Sequence, residues 1–132
     1  MEYQFLVEEA FKAMKHAYAP YSNYHVGAAV LCNEEVIYGV NVENASYGAT
    51  NCGERTALFA AYAKGYRKDD IKALAIVTDG NILAGPCGIC RQVLCELLNG
   101  DTPIILSNRK ETKVTTIDEL MPMQFGAKDL VK

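Results

Sequence analysis

The chain has 132 residues, the usual size of one compact domain. Half of the residues are hydrophobic and 22% are charged, which is typical of a folded globular protein and excludes a disordered one. The net charge of −3 argues against nucleic-acid binding, because that function needs a dense surface of lysine and arginine. We therefore expect a single domain over residues 1–132 that binds no nucleic acid.

The amino-terminal segment lacks the basic start of a secretory signal, and no apolar run approaches the roughly 20 residues of a membrane helix. The expectation is a cytoplasmic protein without membrane association. In a reducing compartment, its five cysteines are interpreted as buried thiols, reactive thiols or metal ligands, and not as a disulfide set.

Hydrophobic spacing and turn residues predict helices that alternate with strands. In chain order, the predictions are a helix over 2–18, strands over 25–32 and 36–42, a helix over 52–64, a strand over 73–77, a helix over 87–98, strands over 103–106 and 113–116, and a helix over 117–121. A polar turn joins the first two strands, and Gly65 ends the second helix. An opening hairpin followed by alternating strands and helices implies an α/β sandwich with a mixed sheet.

Three cysteines lie where loops enter predicted helices. Cys52 precedes one helix, and Cys87 and Cys90 open the next, one helical turn apart. Unpaired amide groups and the helix dipole favour thiolates there, and thiolates bind zinc. Three protein ligands leave the fourth position of tetrahedral zinc to water, the pattern of a catalytic site. A structural zinc site, or simple core packing, is the alternative.

The other two cysteines are expected to be small buried hydrophobes. Cys95 follows Cys90 by five residues and so points to a different side of the helix, while Cys32 lies in an apolar strand.

Two charged residues adjoin the first cysteine. Glu54 faces away from the ligand side of the helix and is a candidate to carry a proton from water to a substrate nitrogen. Arg55 is on the ligand side and is a candidate to offset the negative charge of zinc bound to three thiolates. Taken alone, Glu54 is as well explained as an acidic residue in a first helical turn, and Arg55 as a surface ion pair.

The pattern C-x-E followed by P-C-x-x-C resembles the signature of zinc-dependent nucleobase deaminases. Over nearly the whole chain, the sequence is similar to the small homotetrameric cytidine deaminases. The segments that carry this resemblance are residues 18–22, 26–29, 41–45, 52–57, 86–92 and 120–122, with Phe125.

This resemblance implies a three-layer α/β/α sandwich with a mixed, mostly five-stranded sheet. It implies one Zn²⁺ per chain, held by the three cysteines, and Glu54 as the proton carrier. The implied reaction is hydrolytic deamination of cytidine and deoxycytidine to uridine and deoxyuridine plus ammonia, in pyrimidine salvage. It also implies a homotetramer with its sites at subunit interfaces.

Substrate-binding residues follow from the same resemblance. It implies that Asn41 and Glu43 bind the ribose hydroxyls. Their i, i+2 spacing at a strand end places both side chains on one face. Tyr24 replaces a Phe that is common in the family and is expected to stack on the base. Gly53 replaces a common Ala and is expected to offer its backbone to the base. Phe125 matches a residue that reaches a neighbouring subunit's site.

Three other functions remain open from the sequence. One is deamination of another cytosine-containing compound, such as an aminopyrimidine nucleoside antibiotic, although Asn41 and Glu43 favour a plain ribose. Another is a nucleic-acid-editing or binding module, which the acidic charge disfavours. The last is an inactive structural zinc protein, which has no use for Glu54.

Overall fold

A computed structural model describes residues 2–130 and contains each predicted helix and strand, with shifted ends. The helices are α1 (Gln4–Met14), α2 (Gly53–Ala63), α3 (Gly88–Leu97) and α4 (Ile117–Leu120). The strands are β1 (Val26–Cys32), β2 (Glu35–Val40), β3 (Ile71–Thr78), β4 (Ile104–Ser107) and β5 (Thr112–Thr115). Across this described part of the chain, no helix is long and apolar enough to cross a membrane.

Two predicted elements run past their observed carboxyl ends by two or more residues. The first helix ends at Met14 and not at residue 18, because the backbone of Tyr18 pairs with the segment that follows β2. The Tyr18 amide donates to the Asn41 carbonyl at 2.9 Å, and the Glu43 amide donates to the Tyr18 carbonyl at 2.9 Å. The second strand ends at Val40 for the same reason, since Val42 forms isolated bridges with Tyr18 and Asn51.

The five strands form one mixed sheet in the order β2-β1-β3-β4-β5. β1 is antiparallel to both β2 and β3, so β2 and β3 run in the same direction. β3 and β4 are parallel neighbours, and β5 is antiparallel to β4. The carboxyl ends of β2 and β3 therefore lie at the same edge of the sheet. Because α2 follows β2 and α3 follows β3, both helices begin at that edge.

Helices cover both faces of the sheet. On one face, α1 packs Leu6, Ala10 and Phe11 against Ala29 and Ala75. On the other, α2, α3 and α4 pack against alternate residues of the same strands, in a cluster that includes Leu58, Leu94, Ile117, Val30 and Leu74. This arrangement confirms the three-layer α/β/α sandwich with a mixed five-stranded sheet.

Glycine allows the closest approach between α2 and the sheet. A Cβ atom on Gly39 of β2 would overlap the Gly53 carbonyl oxygen and the Ala57 amide nitrogen of α2. The first turn of α2 therefore rests directly on the backbone of β2, which fixes the height of Cys52 and Glu54 above the sheet.

Candidate metal and substrate site

The three predicted ligand cysteines meet at the shared edge of the sheet. Cys52 is the N-cap residue of α2, Cys87 is the N-cap residue of α3, and Cys90 lies in the first turn of α3. Their sulfur atoms all lie within 4.8 Å of one another. Tetrahedral zinc with Zn–S bonds of about 2.3 Å separates its sulfurs by roughly 3.8 Å, so the thiols fit this ion. Within residues 2–130, this is the one cluster of three such side chains close enough to share a metal.

The surroundings favour thiolate in this cluster. The pKa of Cys52 is lowered, first by a hydrogen bond from Cys90 and then by Arg55, against the opposing effect of burial. The same hydrogen bond, together with burial, raises the pKa of Cys90. The amide groups and dipoles at the starts of α2 and α3 add to the stabilisation of negative charge. Cys52 therefore ionises more readily than Cys90, and its thiolate is suited to bind a divalent cation.

Arg55 lies against the thiol cluster. Its Nε donates to the Cys90 sulfur at 3.3 Å. Burial tends to lower the pKa of Arg55, but hydrogen bonds to the sulfurs of Cys52 and Cys90 outweigh it, so the pKa is raised. The guanidinium is thus a permanent positive charge against two of the three sulfurs.

Glu54 is buried beside the same cluster, with only 4% of its surface exposed. Its Oε1 has no hydrogen-bond partner among the residues that the structure describes. Burial, with the nearby Cys52 adding to it, raises the pKa of Glu54 to about 7. A carboxyl group with such a pKa is able both to accept and to donate a proton near neutral pH.

A cavity of about 340 Å³ opens beside these groups. Its lining includes Cys52, Glu54 and Cys87 together with Tyr24, Asn41 and Glu43. A shallower depression of about 270 Å³ shares Ser22, Glu43 and Thr50 with it. The volume of the first cavity, about 340 Å³, is in the range of small-molecule sites. The structure therefore brings two of the three thiols, Glu54 and the predicted ribose ligands to one cavity.

The acidic and basic side chains of the cavity lining are of one kind, carboxylic acids. Glu43 and Glu54 are its ionisable carboxyl groups, and its described lining contains no lysine, arginine or histidine. A phosphate group entering this cavity would meet carboxylates and no cationic side chain of the described lining. The lining favours a neutral ligand over a phosphorylated one.

Asn41 already holds the backbone of the neighbouring strand. Its Oδ1 accepts from the Val26 amide at 2.9 Å, and its Nδ2 donates to the Tyr24 carbonyl at 2.8 Å. The side-chain amide of Asn41 thus acts like a backbone peptide group. It extends the hydrogen bonding between β1 and β2 beyond the last residue of β2. An asparagine side chain has two donor hydrogens and two acceptor lone pairs, so one of each remains for a ligand.

Glu43 is engaged in a comparable way with the loop before β1. Its Oε1 accepts from the amides of Tyr21 and Ser22, both at 3.0 Å, and its Oε2 accepts from the Ser22 hydroxyl. These bonds, with the Ser22 hydroxyl first, lower the pKa of Glu43. The Ser22 hydroxyl also accepts from the Tyr24 amide at 3.0 Å, so one serine links Glu43 to the Tyr24 backbone.

The other predicted substrate residues differ in placement. Tyr24 lines the cavity and packs its ring against Gly80. Gly53 is buried against Val26 and does not line the cavity of its own chain. Phe125 is 57% exposed and also lies outside this cavity, where its carbonyl accepts from Gln92.

Among the cavity residues that sequence reasoning did not assign are Ser22 and Thr78. Ser22 lies within one of the family-like segments, so its position was a usable signal. Thr78 ends an apolar strand, and no pattern in the sequence distinguishes it from a core threonine.

The remaining cysteines lie apart from the cluster. Cys32 is fully buried in the core beneath α2, and burial raises its pKa to about 11. Cys95 packs against the same core and lies 3.4 Å from the Met121 sulfur. Cys32 is the buried hydrophobe that the sequence predicts, whereas Cys95 is only partly buried.

Comparisons with known proteins agree with this geometry. The family model described as "Cytidine and deoxycytidylate deaminase zinc-binding region" matches residues 1–105. The cytidine deaminase of Halalkalibacterium halodurans is 48% identical over 132 residues, which is 98% of each chain. That of Sporosarcina psychrophila is 46% identical, over 98% of this chain and 96% of the relative. The matched region contains all three cluster cysteines, and the cofactor is one Zn²⁺ per chain.

Solved structures give the same result for the fold. The crystal structure of cytidine deaminase from Burkholderia pseudomallei has a TM-score of 0.90 and 46% identity, covering 95% of this chain and 100% of that one. Cytidine deaminase from Mycobacterium tuberculosis has a TM-score of 0.78 and 35% identity, covering 96% and 98%.

Proposed function

This chain belongs to the cytidine and deoxycytidylate deaminase family, and on that premise we propose that it converts cytidine and deoxycytidine to uridine and deoxyuridine by zinc-dependent hydrolysis, with release of ammonia. One observation carries the proposal: Glu54 is a buried carboxyl group with an unpartnered oxygen and a pKa near 7, beside three zinc-binding thiols. A structural zinc site gains nothing from such a group.

Cys52, Cys87 and Cys90 hold the zinc ion, which when bound supplies a Lewis acid that makes water a stronger acid and nucleophile. Glu54 accepts a proton from the attacking water and delivers it to N3 of the cytosine ring. Glu54 then takes the second proton from the hydroxyl group now on C4 and delivers it to the amino group as the C4–N4 bond breaks, which leaves the C4 carbonyl of uridine. A carbon–oxygen bond replaces a carbon–nitrogen bond at C4, and ammonia leaves.

The remaining groups of the cavity select the substrate. Asn41 and Glu43 bind the ribose hydroxyls with the lone pairs and the N–H that their internal hydrogen bonds leave free. Tyr24 stacks on the pyrimidine, and Arg55 offsets the negative charge of the thiolates. Gly53 acts on the base indirectly, through the backbone that joins the cavity residues Cys52 and Glu54. The acidic lining supports a nucleoside substrate and opposes a nucleoside phosphate.

A different cytosine-containing compound, such as an aminopyrimidine nucleoside antibiotic, is the less favoured substrate. Such a compound carries a modified sugar, whereas the amide of Asn41 and the carboxylate of Glu43 suit unmodified hydroxyl groups.

The cellular setting is part of the same proposal. The 132 residues form one domain, supported by the two core clusters on the faces of one sheet. The enzyme acts in the cytosol in pyrimidine salvage, because its free cysteines must stay reduced to bind zinc. It is a homotetramer in which Phe125 of one subunit completes the site of another, supported by the exposure of Phe125 outside its own cavity.

The test of this function is turnover of cytidine by the purified protein, followed as the absorbance change to uridine. Glu54→Gln keeps the size of the side chain but cannot carry the proton, so we expect kcat to fall by a factor of roughly 10²–10⁴. Metal analysis is expected to give one zinc per chain in both proteins.

Cys87→Ala is the matched control, because it removes a ligand and leaves Glu54 in place. We expect this variant to lose both zinc and turnover. A zinc-loaded wild-type protein that leaves cytidine, deoxycytidine and related nucleosides unchanged contradicts the proposed function, and an active Glu54→Gln contradicts the role of Glu54.

A further inference from the structure

Two buried side-chain oxygens lack a hydrogen-bond partner among residues 2–130, and both belong to residues that line the same cavity. One is Oε1 of Glu54, which the proposed proton transfer explains. The other is the hydroxyl oxygen of Thr78, which is 6% exposed and has no part in that chemistry. Thr78 therefore needs an explanation of its own.

Thr78 lies on the sheet beneath the start of α2. It is the last residue of β3 and pairs with Val26 of β1. It lies on the same face of the sheet as Ile76, two residues earlier, which packs in the core cluster with α2 and α3 and lines the cavity as well. The side chain of Val26 in turn reaches Gly53 at the start of α2. This line of contacts places Thr78 on the side of the cavity where Glu54 lies.

Two other buried hydroxyl groups in the described part of the chain have partners. Thr115, which is 2% exposed, has the Thr116 carbonyl at 3.5 Å and a Glu119 carboxylate oxygen at 3.4 Å as acceptors for its hydroxyl hydrogen. Ser107, which is 3% exposed, accepts from Thr112 and from the Arg109 amide. A buried hydroxyl without a partner destabilises the folded state, and valine has nearly the same shape without this cost. An unsatisfied hydroxyl at a ligand cavity is explained by a partner that the ligand provides.

We propose that Thr78 contacts the substrate and that its hydroxyl forms a hydrogen bond with the edge of the pyrimidine that carries O2, N3 and N4. This is the edge on which Glu54 acts. A hydroxyl both donates and accepts, so it is suited to the cytosine of the substrate and to the uracil of the product. The inference rests on the proposed function, because it takes a pyrimidine nucleoside as the ligand.

The experiment compares Thr78→Val, which removes the hydroxyl and keeps the shape, with Thr78→Ser, which keeps the hydroxyl. We expect Thr78→Val to raise KM for cytidine about tenfold, with a smaller change in kcat, and Thr78→Ser to stay within about threefold of wild type. Without ligand, Thr78→Val is expected to melt at the same temperature as wild type or above it.

Thr115→Val is the control, because it also removes a buried hydroxyl, but one that is bonded inside the protein. It is expected to lower the melting temperature and to leave KM unchanged. An unchanged KM in Thr78→Val overturns the inference. An equal rise of KM in Thr78→Val and Thr78→Ser also overturns it, because such a result indicates an effect of side-chain shape. A melting temperature of ligand-free Thr78→Val below that of wild type overturns it as well. If the wild-type protein does not turn over cytidine, the proposed function itself is contradicted. If the wild type is active but the Thr78 variants behave otherwise than expected, only the role of Thr78 is contradicted.

Discussion

Asn41 and Glu43 each combine a scaffold role with a proposed role in binding. Asn41 holds Tyr24 and Val26, and Glu43 holds the Tyr21–Ser22 backbone. These bonds orient the two side chains before a ligand enters, which lowers the entropy lost on binding. Loss of either side chain affects both the loop and the ligand, so a useful test must separate the two effects.

Glu43→Gln is expected to separate them when two substrates are compared. The glutamine presents an NH₂ group where one acceptor oxygen stood, and it cannot accept a hydrogen bond there. We expect kcat/KM for cytidine to fall at least about tenfold, while kcat/KM for 2′,3′-dideoxycytidine, already low with wild type, changes little. Equal losses on both substrates would show that Glu43 acts only through the loop.

Asp79 is expected to make the stability of the fold depend on pH. Its carboxylate accepts from the His25 amide at 2.9 Å and lies 2.6 Å from the His25 ring nitrogen, which ties the end of β3 to the residue before β1. Burial tends to raise the pKa of Asp79, but the bonds to the His25 backbone and ring outweigh it, so the folded-state pKa lies below the usual 3.8. The ionised carboxylate therefore stabilises the fold above that pH, and the stabilisation is lost as the pH falls through the lower folded value.

Melting curves of wild type and Asp79→Asn measure this contribution. We expect the variant to melt at a lower temperature at pH 7, and the difference to shrink as the pH falls below about 4. A difference that is constant between pH 7 and pH 3 would contradict the assignment to the charge of Asp79.

At the residue scale, the sequence reveals those groups whose chemistry depends on spacing along one helix. Cys87 and Cys90 are one turn apart, so their convergence follows from helical geometry. The bonds of Ser22 and the position of Thr78 depend on how a loop crosses the sheet and on the pairing of β3 with β1. Those are long-range facts that a local pattern does not contain.

At the scale of elements, the contact of β2 with α2 is tight enough to test. An added Cβ at Gly39 would overlap backbone atoms of Gly53 and Ala57, which cannot move aside as a side chain does. We expect Gly39→Ala to destabilise the fold by about 2 kcal/mol, as overpacking of a core does. Chemical denaturation with urea measures the change.

Gly48→Ala is the control for this prediction, since a Cβ there would meet no atom within 4 Å. We expect a change within about 0.5 kcal/mol. Equal stabilities of Gly39→Ala and wild type would show that α2 is free to shift away from the sheet.

The order of elements was predictable, but their ends and neighbours were only partly so. Alternating strands and helices predict the α/β class, because each pattern is local. The end of α1 at Met14 was not predictable, since the helical spacing continues beyond it and the competing partner of Tyr18 lies more than 20 residues away, at Asn41 and Glu43. The sheet order likewise depends on contacts between distant strands.

For the whole molecule, the exposed aromatic side chains are the main feature that one chain leaves unexplained. They are Tyr18, Tyr21, Tyr24, Tyr38, Tyr47, Phe5, Phe59 and Phe125. A depression of about 460 Å³ between α1 and β2, lined in part by Tyr38, contains none of the predicted site residues. The exposure of this apolar surface in a single chain supports the proposed homotetramer, in which it would be covered by other subunits.

Mixing two defective variants tests shared sites. If Phe125 acts in a neighbour's cavity, a Phe125→Ala subunit keeps its own Glu54 and a Glu54→Gln subunit keeps its own Phe125. We expect tetramers reassembled from both variants to be more active than either variant alone, because some cavities then receive both intact residues. Light scattering is expected to give the mass of four 14.5 kDa chains.

The matched control mixes Glu54→Gln with a second variant that lacks a group of the same chain's cavity, Cys87→Ala. Its mixed tetramers contain no complete cavity, so no activity is expected to return. A mass of one chain in solution, or no recovery with Phe125→Ala, contradicts the shared site.

The common direction of β2 and β3 has a consequence for biosynthesis. A nascent chain that has emerged only as far as α2 offers a single ligand thiol, and Cys87 and Cys90 reach it only when β3 has paired beside β1. Metal uptake is therefore a late event, which follows the meeting of distant strands. Zinc held by all three thiols is then expected only in molecules whose strands have met, so tightly bound zinc is expected to report folding independently of turnover.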